Sequence, residues 1–191
     1  MDFFNKSEQS ILLNAENIIV GFSGGVDSTL VLAATNQFLE AHNKKKCLTA
    51  LHVNHQTQSD SSSWQIHCEK FCKQHNINFS CESVKIKESG QGYEAAARSA
   101  RLDIFNAFDE ATVIILGHHL DDQVETVFFR VLRGTGLKGL TGMQRHLKIK
   151  DKDFIRPLLH LTKEEIFKQA TEYKLSFIED QSNTDNAYSR N

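Results

Sequence analysis

Two short strings in this chain bring together the residue types that group-transfer chemistry needs. The first is Gly21-Phe22-Ser23-Gly24-Gly25-Val26-Asp27-Ser28-Thr29. Gly24 and Gly25 let a backbone approach an anion closely and aim its N–H groups at it, and a following helix adds partial positive charge. Ser23, Ser28 and Thr29 offer short, neutral hydroxyl donors. Ser23, Gly24, Gly25, Val26, Asp27 and Ser28 therefore form a candidate phosphate loop. Asp27 would be repelled by phosphate unless a divalent cation lay between them, which makes it the candidate Mg²⁺ ligand. A glycine turn with an Asp or Ser cap serves any α/β protein. The complete S-G-G-x-D-S string between a strand and a helix favours the phosphate site over that reading. It is neither a Walker A sequence nor G-x-G-x-x-G.

The second string is Gly117-His118-His119-Leu120-Asp121-Asp122-Gln123-Val124-Glu125-Thr126. Asp121 is expected to cap a helix. Asp122 and Glu125, three apart, share one of its faces, and Val124, Val127, Phe128 and Val131 are expected to supply the buried side. Two carboxylates beside a nucleotide site can hold Mg²⁺ or grip a cationic amine. Acidic residues suit any first helical turn, which explains Asp121 alone but not two histidines abutting two aspartates. Gly117, His118 and His119 are thus candidate nucleotide or substrate contacts. A His/Asp metal site is the lesser reading, because adjacent ligands on a tight turn seldom converge.

The elements that must position these strings follow from the apolar pattern. Strands are expected at Asn17–Phe22, Cys47–Asn54, Phe79–Ile86 and Thr112–Gly117, with weaker ones at Phe154–Leu159 and Ser176–Glu179. Helices are expected at Asp27–Ala41, Ser62–His75, Tyr93–Phe108, Asp121–Leu132 and Lys163–Tyr173. Ile18-Ile19-Val20 and Val113-Ile114-Ile115-Leu116 are apolar throughout, as strands covered on both faces are. The alternation implies an α/β fold: a doubly wound, mainly parallel sheet with helices on both faces. Both strings then fall at the carboxyl ends of strands, where such sheets bind ligands. His52 and Asn54 end the second strand on that same rim. Arg98 and Arg101 lie on one helix face with Glu94, where a surface ion-pair ladder and phosphate contact are both open readings.

The chain has 191 residues, a formal net charge of −2 and 40% hydrophobic residues, which suits one soluble α/β domain over residues 1–191. The N-terminus lacks a signal-peptide core and no apolar run reaches bilayer length, so a cytoplasmic protein without membrane association is expected. Cys47, Cys68, Cys72 and Cys81 form no C-x-x-C pair and read as free thiols. Near-neutral net charge hides a local cluster: Arg130, Arg133, Lys138, Arg145, Lys148, Lys150, Lys152 and Arg156 stand against Asp151 and Asp153. Such a run tracks an RNA backbone or is simply a solvated loop; beside a nucleotide site the first is favoured, with Arg133, Lys138 and Arg145 as candidate RNA contacts. The connection Gly134–Asp153 that carries most of it reads as a mobile surface segment. Oligomeric state is not specified, and a homodimer stays open.

The first string resembles the pyrophosphate loop of the PP-loop ATPases, which cleave ATP to AMP and pyrophosphate. G-H-H-x-D-D-Q-x-E-T resembles the second motif of the tRNA(Ile)-lysidine synthetase family. Further strings agree in order: Leu51–His55, Glu94–Arg101, Arg133–Met143, Arg156–Leu159 and Ile178–Asn183. The resemblance implies ATP and Mg²⁺ as cofactors, with isoleucine tRNA carrying a CAU anticodon and free L-lysine as partners. It implies adenylation of an anticodon cytidine at its 2-oxygen and displacement of AMP by the lysine ε-amine. Ser23–Ser28 would then hold the ATP phosphates with Asp27 on Mg²⁺, and Asp27, Asp122 and Glu125 would be the catalytic set. Asp122 and Glu125 would meet lysine; which carboxylate takes its proton is open. His52 and Asn54 would lie near the adenosine, and Arg98 and Arg101 near phosphate or base. Family members also carry C-terminal domains, which these residues do not include. Alternatives are a PP-loop tRNA 2-thiolation enzyme, disfavoured by the cysteine spacing, and a non-catalytic nucleotide sensor.

Overall fold

A computed structural model describes residues 1, 3–54, 61–84, 99–100, 103–105, 107–108, 112–134, 136 and 140–179. A six-stranded sheet runs in the order β3-β2-β1-β4-β6-β5. Its strands are β1 (Asn17–Gly21), β2 (Leu48–Asn54), β3 (Asn78–Ser83), β4 (Thr112–Ile115), β5 (His146–Ile149) and β6 (Lys152–Ile155). All neighbours are parallel except the β5–β6 hairpin. The helices are α1 (Lys6–Asn14), α2 (Val26–Ala41), α3 (Ser61–His75), α4 (Leu120–Leu132) and α5 (Lys163–Glu172).

Apolar residues in the central strands divide by parity between two cores, as strand pleating requires. Ile18 and Val20 of β1, Ala50 of β2, Val113 and Ile115 of β4 and Ile155 of β6 join Leu12, Leu30, Leu39, Phe71 and Ile166 on one face. Ile19, Leu51, Ile114 and Phe154 meet Phe105 on the other. The expected doubly wound architecture is therefore present. Ile18 of β1 stands beside Leu48 on one side and Val113 on the other. That register carries the exits of β1 and β4 to the same rim.

Four features depart from the sequence reading. Helix α1 was not expected, although Asn5 and Glu8 make a capping box: the Asn5 side chain accepts from Glu8 N–H and the Glu8 carboxylate from Asn5 N–H, both at 2.9 Å. The later part of the segment read as a mobile connection, from His146 on, closes instead into the β5–β6 hairpin. Its turn holds Lys150 at φ 54° without a glycine, and Lys148 on the outermost strand both disguises it and protects its edge. The strand expected over Phe154–Leu159 starts earlier and stops at Ile155, since Pro157 has no N–H to extend a ladder. The strand expected at Ser176–Glu179 is one parallel bridge, Gly25 to Ile178. The helix expected over Tyr93–Phe108 lies largely outside the described residues; 99–100, 103–105 and 107 are helical.

Helix α4 corrects two further expectations. Its N-cap is His119, not Asp121. Val124, Phe128 and Val131, expected to be buried, are 61%, 57% and 50% exposed. Polar groups hold α4 instead: the Gln123 amide donates to Met143 C=O at 2.9 Å and accepts from Met143 N–H at 2.6 Å, and Arg130 donates to Gly142 C=O at 2.9 Å.

Candidate active site

The loop after β1 is braced from within. Ser28 Oγ donates to Gly25 C=O at 3.0 Å and accepts from Ser23 N–H at 3.2 Å, and the Thr29 hydroxyl donates to Gly24 C=O at 3.3 Å. Gly24 has φ 90°, and a Cβ there would stand 3.0 Å from both Cys68 Sγ and Ile178 Cδ1, so only glycine fits. Its carbonyl accepts from Ile178 N–H at 2.8 Å. Gly25 then caps α2 without any side-chain hydrogen bond. The opening N–H groups of a sixteen-residue helix are thereby left for an anion.

The exit of β4 packs directly on this loop. A Cβ on Gly117 would meet Asp27 C at 3.0 Å, Asp27 O at 3.1 Å and Ser28 N at 3.1 Å, so the close approach of the two turns depends on this glycine. Two residues on, buried His119 lies among three carboxylates: its Nε2 is 3.8 Å from Asp27 Oδ1 and 3.5 Å from Asp122 Oδ2, and its Nδ1 is 3.5 Å from Asp121 Oδ2. Asp122 also accepts the His119 backbone N–H at 3.0 Å. The two strings thus form one constellation. Asp27 Oδ1 is buried without a hydrogen-bond partner. Burial raises the Asp27 pKa, Asp122 adds to the rise, and His119 and Lys163 oppose it. An orphaned, desolvated carboxylate oxygen beside an open helix N-terminus fits a hard divalent cation shared with a phosphate.

Other expected site residues are placed differently. His52 is buried at the end of β2, where its Nδ1 donates to Phe22 C=O at 2.9 Å and burial lowers its pKa. It is a neutral brace on the start of the phosphate loop. Asn54, also buried, donates to Gln65 Oε1 at 3.2 Å. Glu125 lies one turn beyond Asp122 on α4 and is exposed. Arg98, Arg101 and Lys138 lie outside the described residues. Two residues near the site had not been singled out for it. Lys163 opens α5, its backbone N–H donates to Asp121 at 2.8 Å, and its charge reaches Asp27. Arg156 donates from Nε to His118 Nδ1 at 3.2 Å. Only fold-level proximity reveals either one.

Half of the basic cluster is built into the structure. Lys152 and Arg156 are buried, and Arg130 holds Gly142. Arg145, an expected tRNA contact, instead grips the 1%-exposed Glu8: Nε to Oε1 is 2.7 Å and Nη2 to Oε2 is 3.0 Å, while Nη2 also reaches Phe3 C=O at 2.5 Å. Its guanidinium fork is a fastening for α1. Arg133, Lys148 and Lys150 remain on the surface. Arg145→Met should cost about 2–4 kcal/mol, because it strands a buried carboxylate. Denaturant unfolding measures this, and a loss below about 1 kcal/mol would contradict the buried-pair assignment.

The cysteines show no activated thiolate among the described residues. Burial pushes Cys68 and Cys72 up to about 12, and also raises Cys47 and Cys81. Because the thiolate is the reactive form, a thiol-titrating disulfide reagent at pH 8 should label Cys47 and Cys81 slowly. Cys68 and Cys72 should react only after unfolding, and fast labelling of either in the native chain would refute this.

Comparison with known proteins agrees with this fold. The family described as the PP-loop domain matches residues 2–191. A tRNA(Ile)-lysidine synthase from Histophilus somni (strain 2336) is 40% identical over 175 residues, which are 91% of this chain and 40% of that protein. One from Legionella pneumophila (strain Lens) is 39% identical over 92% of this chain and 40% of its own length. One from Pseudomonas fluorescens (strain Pf0-1) is 38% identical over 94% and 40%. The chain thus spans about 40% of the length of these relatives. Among solved structures, the U34-tRNA thiolase NcsA from Methanococcus maripaludis with its [4Fe-4S] cluster superposes with a TM-score of 0.68 at 21% identity, over 92% of this chain and 62% of that one. Glutamine-dependent NAD⁺ synthetase from Acinetobacter baumannii gives 0.55 at 14%, over 86% and 30%. These two share the fold. A glycine-braced phosphate loop, an acidic turn seated on it, and a matching profile over residues 2–191 place this chain in the PP-loop domain family.

Proposed function

We propose that this chain is the ATP-activating unit of a tRNA(Ile)-lysidine synthase. It adenylates a cytidine of an isoleucine tRNA with a CAU anticodon, releases pyrophosphate, and lets free lysine displace AMP. The observation that carries this reading is the contact of the two turns at Gly117, with Asp27, His119 and Asp122 in one cluster. In this scheme Ser23–Ser28 and the N-terminus of α2 bind the triphosphate. Asp27 would hold Mg²⁺, which would supply charge neutralisation at the phosphates. Asp122 and Glu125 present negative charge to the lysine ammonium, and a carboxylate takes its proton before attack.

Arg133, Lys148 and Lys150 track the RNA backbone, joined by Lys138, and Arg98 and Arg101 contact phosphate or the activated base. A cytoplasmic setting follows from the tRNA substrate, and among the described residues no helix is long and apolar enough to cross a membrane. The thiolation alternative has less support, since the described cysteines are protonated by burial and form no group suited to a metal or cluster.

The test is pyrophosphate release from ATP and Mg²⁺ with isoleucine tRNA, with and without lysine. Pyrophosphate released with tRNA, followed by lysine-dependent AMP release, is the expected result. Binding of ATP with no turnover would favour a sensor, and turnover that ignores lysine but needs a sulfur donor would favour thiolation.

A further inference from the structure

The turn after β4 carries two histidines, and the structure gives them different surroundings. His119 sits among carboxylates. His118 meets Arg156, which leaves the end of β6, the strand beside β4. Leu116 N–H donates to Ile155 C=O at 3.0 Å, so the ladder itself sets Arg156 next to the β4 exit. Arg156 is buried and held on two more sides: its Nη1 donates to Gln144 C=O at 2.8 Å and its backbone N–H to Arg145 C=O at 2.7 Å. Pro157 follows and fixes the chain direction. The guanidinium is therefore anchored, and its Nε–H points at His118 Nδ1, 3.2 Å away.

A guanidinium has only donors and keeps its protons at any working pH. The atom it faces must therefore offer a lone pair. A neutral imidazole accepting at Nδ1 carries its proton on Nε2, and an imidazolium would set two N–H groups against each other. We infer that Arg156 is a positioning residue that fixes His118 as its neutral Nε2–H tautomer. His118 is then a hydrogen-bond donor on the turn that carries Asp122, and cannot accept a proton. Resting on the adenylation reading above, this deepens it: His118 donates to the nucleotide or the activated base, and the lysine proton goes elsewhere.

The test is a histidine ¹⁵N–¹H two-bond correlation spectrum of the ¹⁵N-labelled chain at neutral pH, which separates the two tautomers and the imidazolium. The parent should show His118 with Nε2 protonated and Nδ1 bare, and Arg156→Met should average the two nitrogens. An Nδ1–H or doubly protonated His118 in the parent would overturn the assignment whether or not the variant folds. So would an unaltered pattern in a folded variant.

In turnover, Arg156→Met should lower kcat for pyrophosphate release roughly tenfold with KM for ATP within about twofold, the scale of removing a histidine's orienting partner. Adding it to His118→Phe should cause no further loss, and a full second loss would show that Arg156 acts by another route. If the parent releases no pyrophosphate, the adenylation reading fails while the spectrum still decides the tautomer.

Discussion

Asp27→Ala should reduce pyrophosphate release on the order of a thousandfold while leaving the fold as stable as before or more so. The two halves of that result have one cause. Asp27 Oδ1 is buried with no hydrogen-bond partner, and burial is the largest influence raising its pKa. A carboxylate oxygen held away from water costs stability when ionised and strengthens electrostatics for a bound ion. Removing the carboxylate relieves that cost and deletes the oxygen that would hold Mg²⁺, a loss on the scale of removing a transition-state contact.

A carboxyl whose folded-state pKa is raised keeps its proton to higher pH when folded than when unfolded. Its destabilising effect is therefore absent in acid and fully developed above the raised value. With EDTA present, the melting temperature of Asp27→Ala should match the parent in acid and equal or exceed it at neutral pH. A folded variant that still releases pyrophosphate at the parental rate would remove Asp27 from the mechanism.

What the sequence disclosed divides along a physical line. The phosphate loop was legible because a strand, two glycines, a short hydroxyl set and a helix start are all local, and backbone N–H groups do the binding. The sheet was legible because Ile18–Val20 and Val113–Ile115 are apolar at every position, which only a strand covered on both sides tolerates. The errors arise where a side chain's partner is remote in sequence. Arg145 looked like one more charge in a basic run, yet its partner is Glu8, 137 residues away. The apolar stripe of α4 looked like a core face, but Gln123 and Arg130 bind the 142–143 backbone and leave that stripe outward. The β5 strand was hidden by its short length and by Lys148. Lys163 carries no local signal, and Arg156, though part of a basic run and of the Arg156–Leu159 string, has none that points to His118, since sheet order sets that contact.

Gly117→Ala tests the joint between the two strings more sharply than any change to a charged group, because it adds one methyl and alters no chemistry. The new Cβ would stand 3.0 Å from Asp27 C and 3.1 Å from Asp27 O and Ser28 N. All three are backbone atoms of the first turn of α2, so no flexible side chain can swing aside. Either the β4 exit or the α2 N-terminus must move by several tenths of an ångström, and both belong to the site. Overpacking of this kind costs about 1–3 kcal/mol, which for a chain of this size lowers the melting temperature by roughly 2–10 °C. The effect on turnover should be larger than the effect on stability. Misplacement approaching an ångström lowers rates about a hundredfold, and here it separates Asp27 and the helix N-terminus from His119 and Asp122. Pyrophosphate release should fall ten- to a hundredfold, with ATP binding weakened as well, because Ser28 N belongs to the anion-facing turn. Calorimetric ATP affinity and steady-state turnover on the same preparation measure both. A folded Gly117→Ala chain with parental affinity and parental turnover would mean that the two turns do not work as one site, and the adenylation mechanism would lose its structural basis.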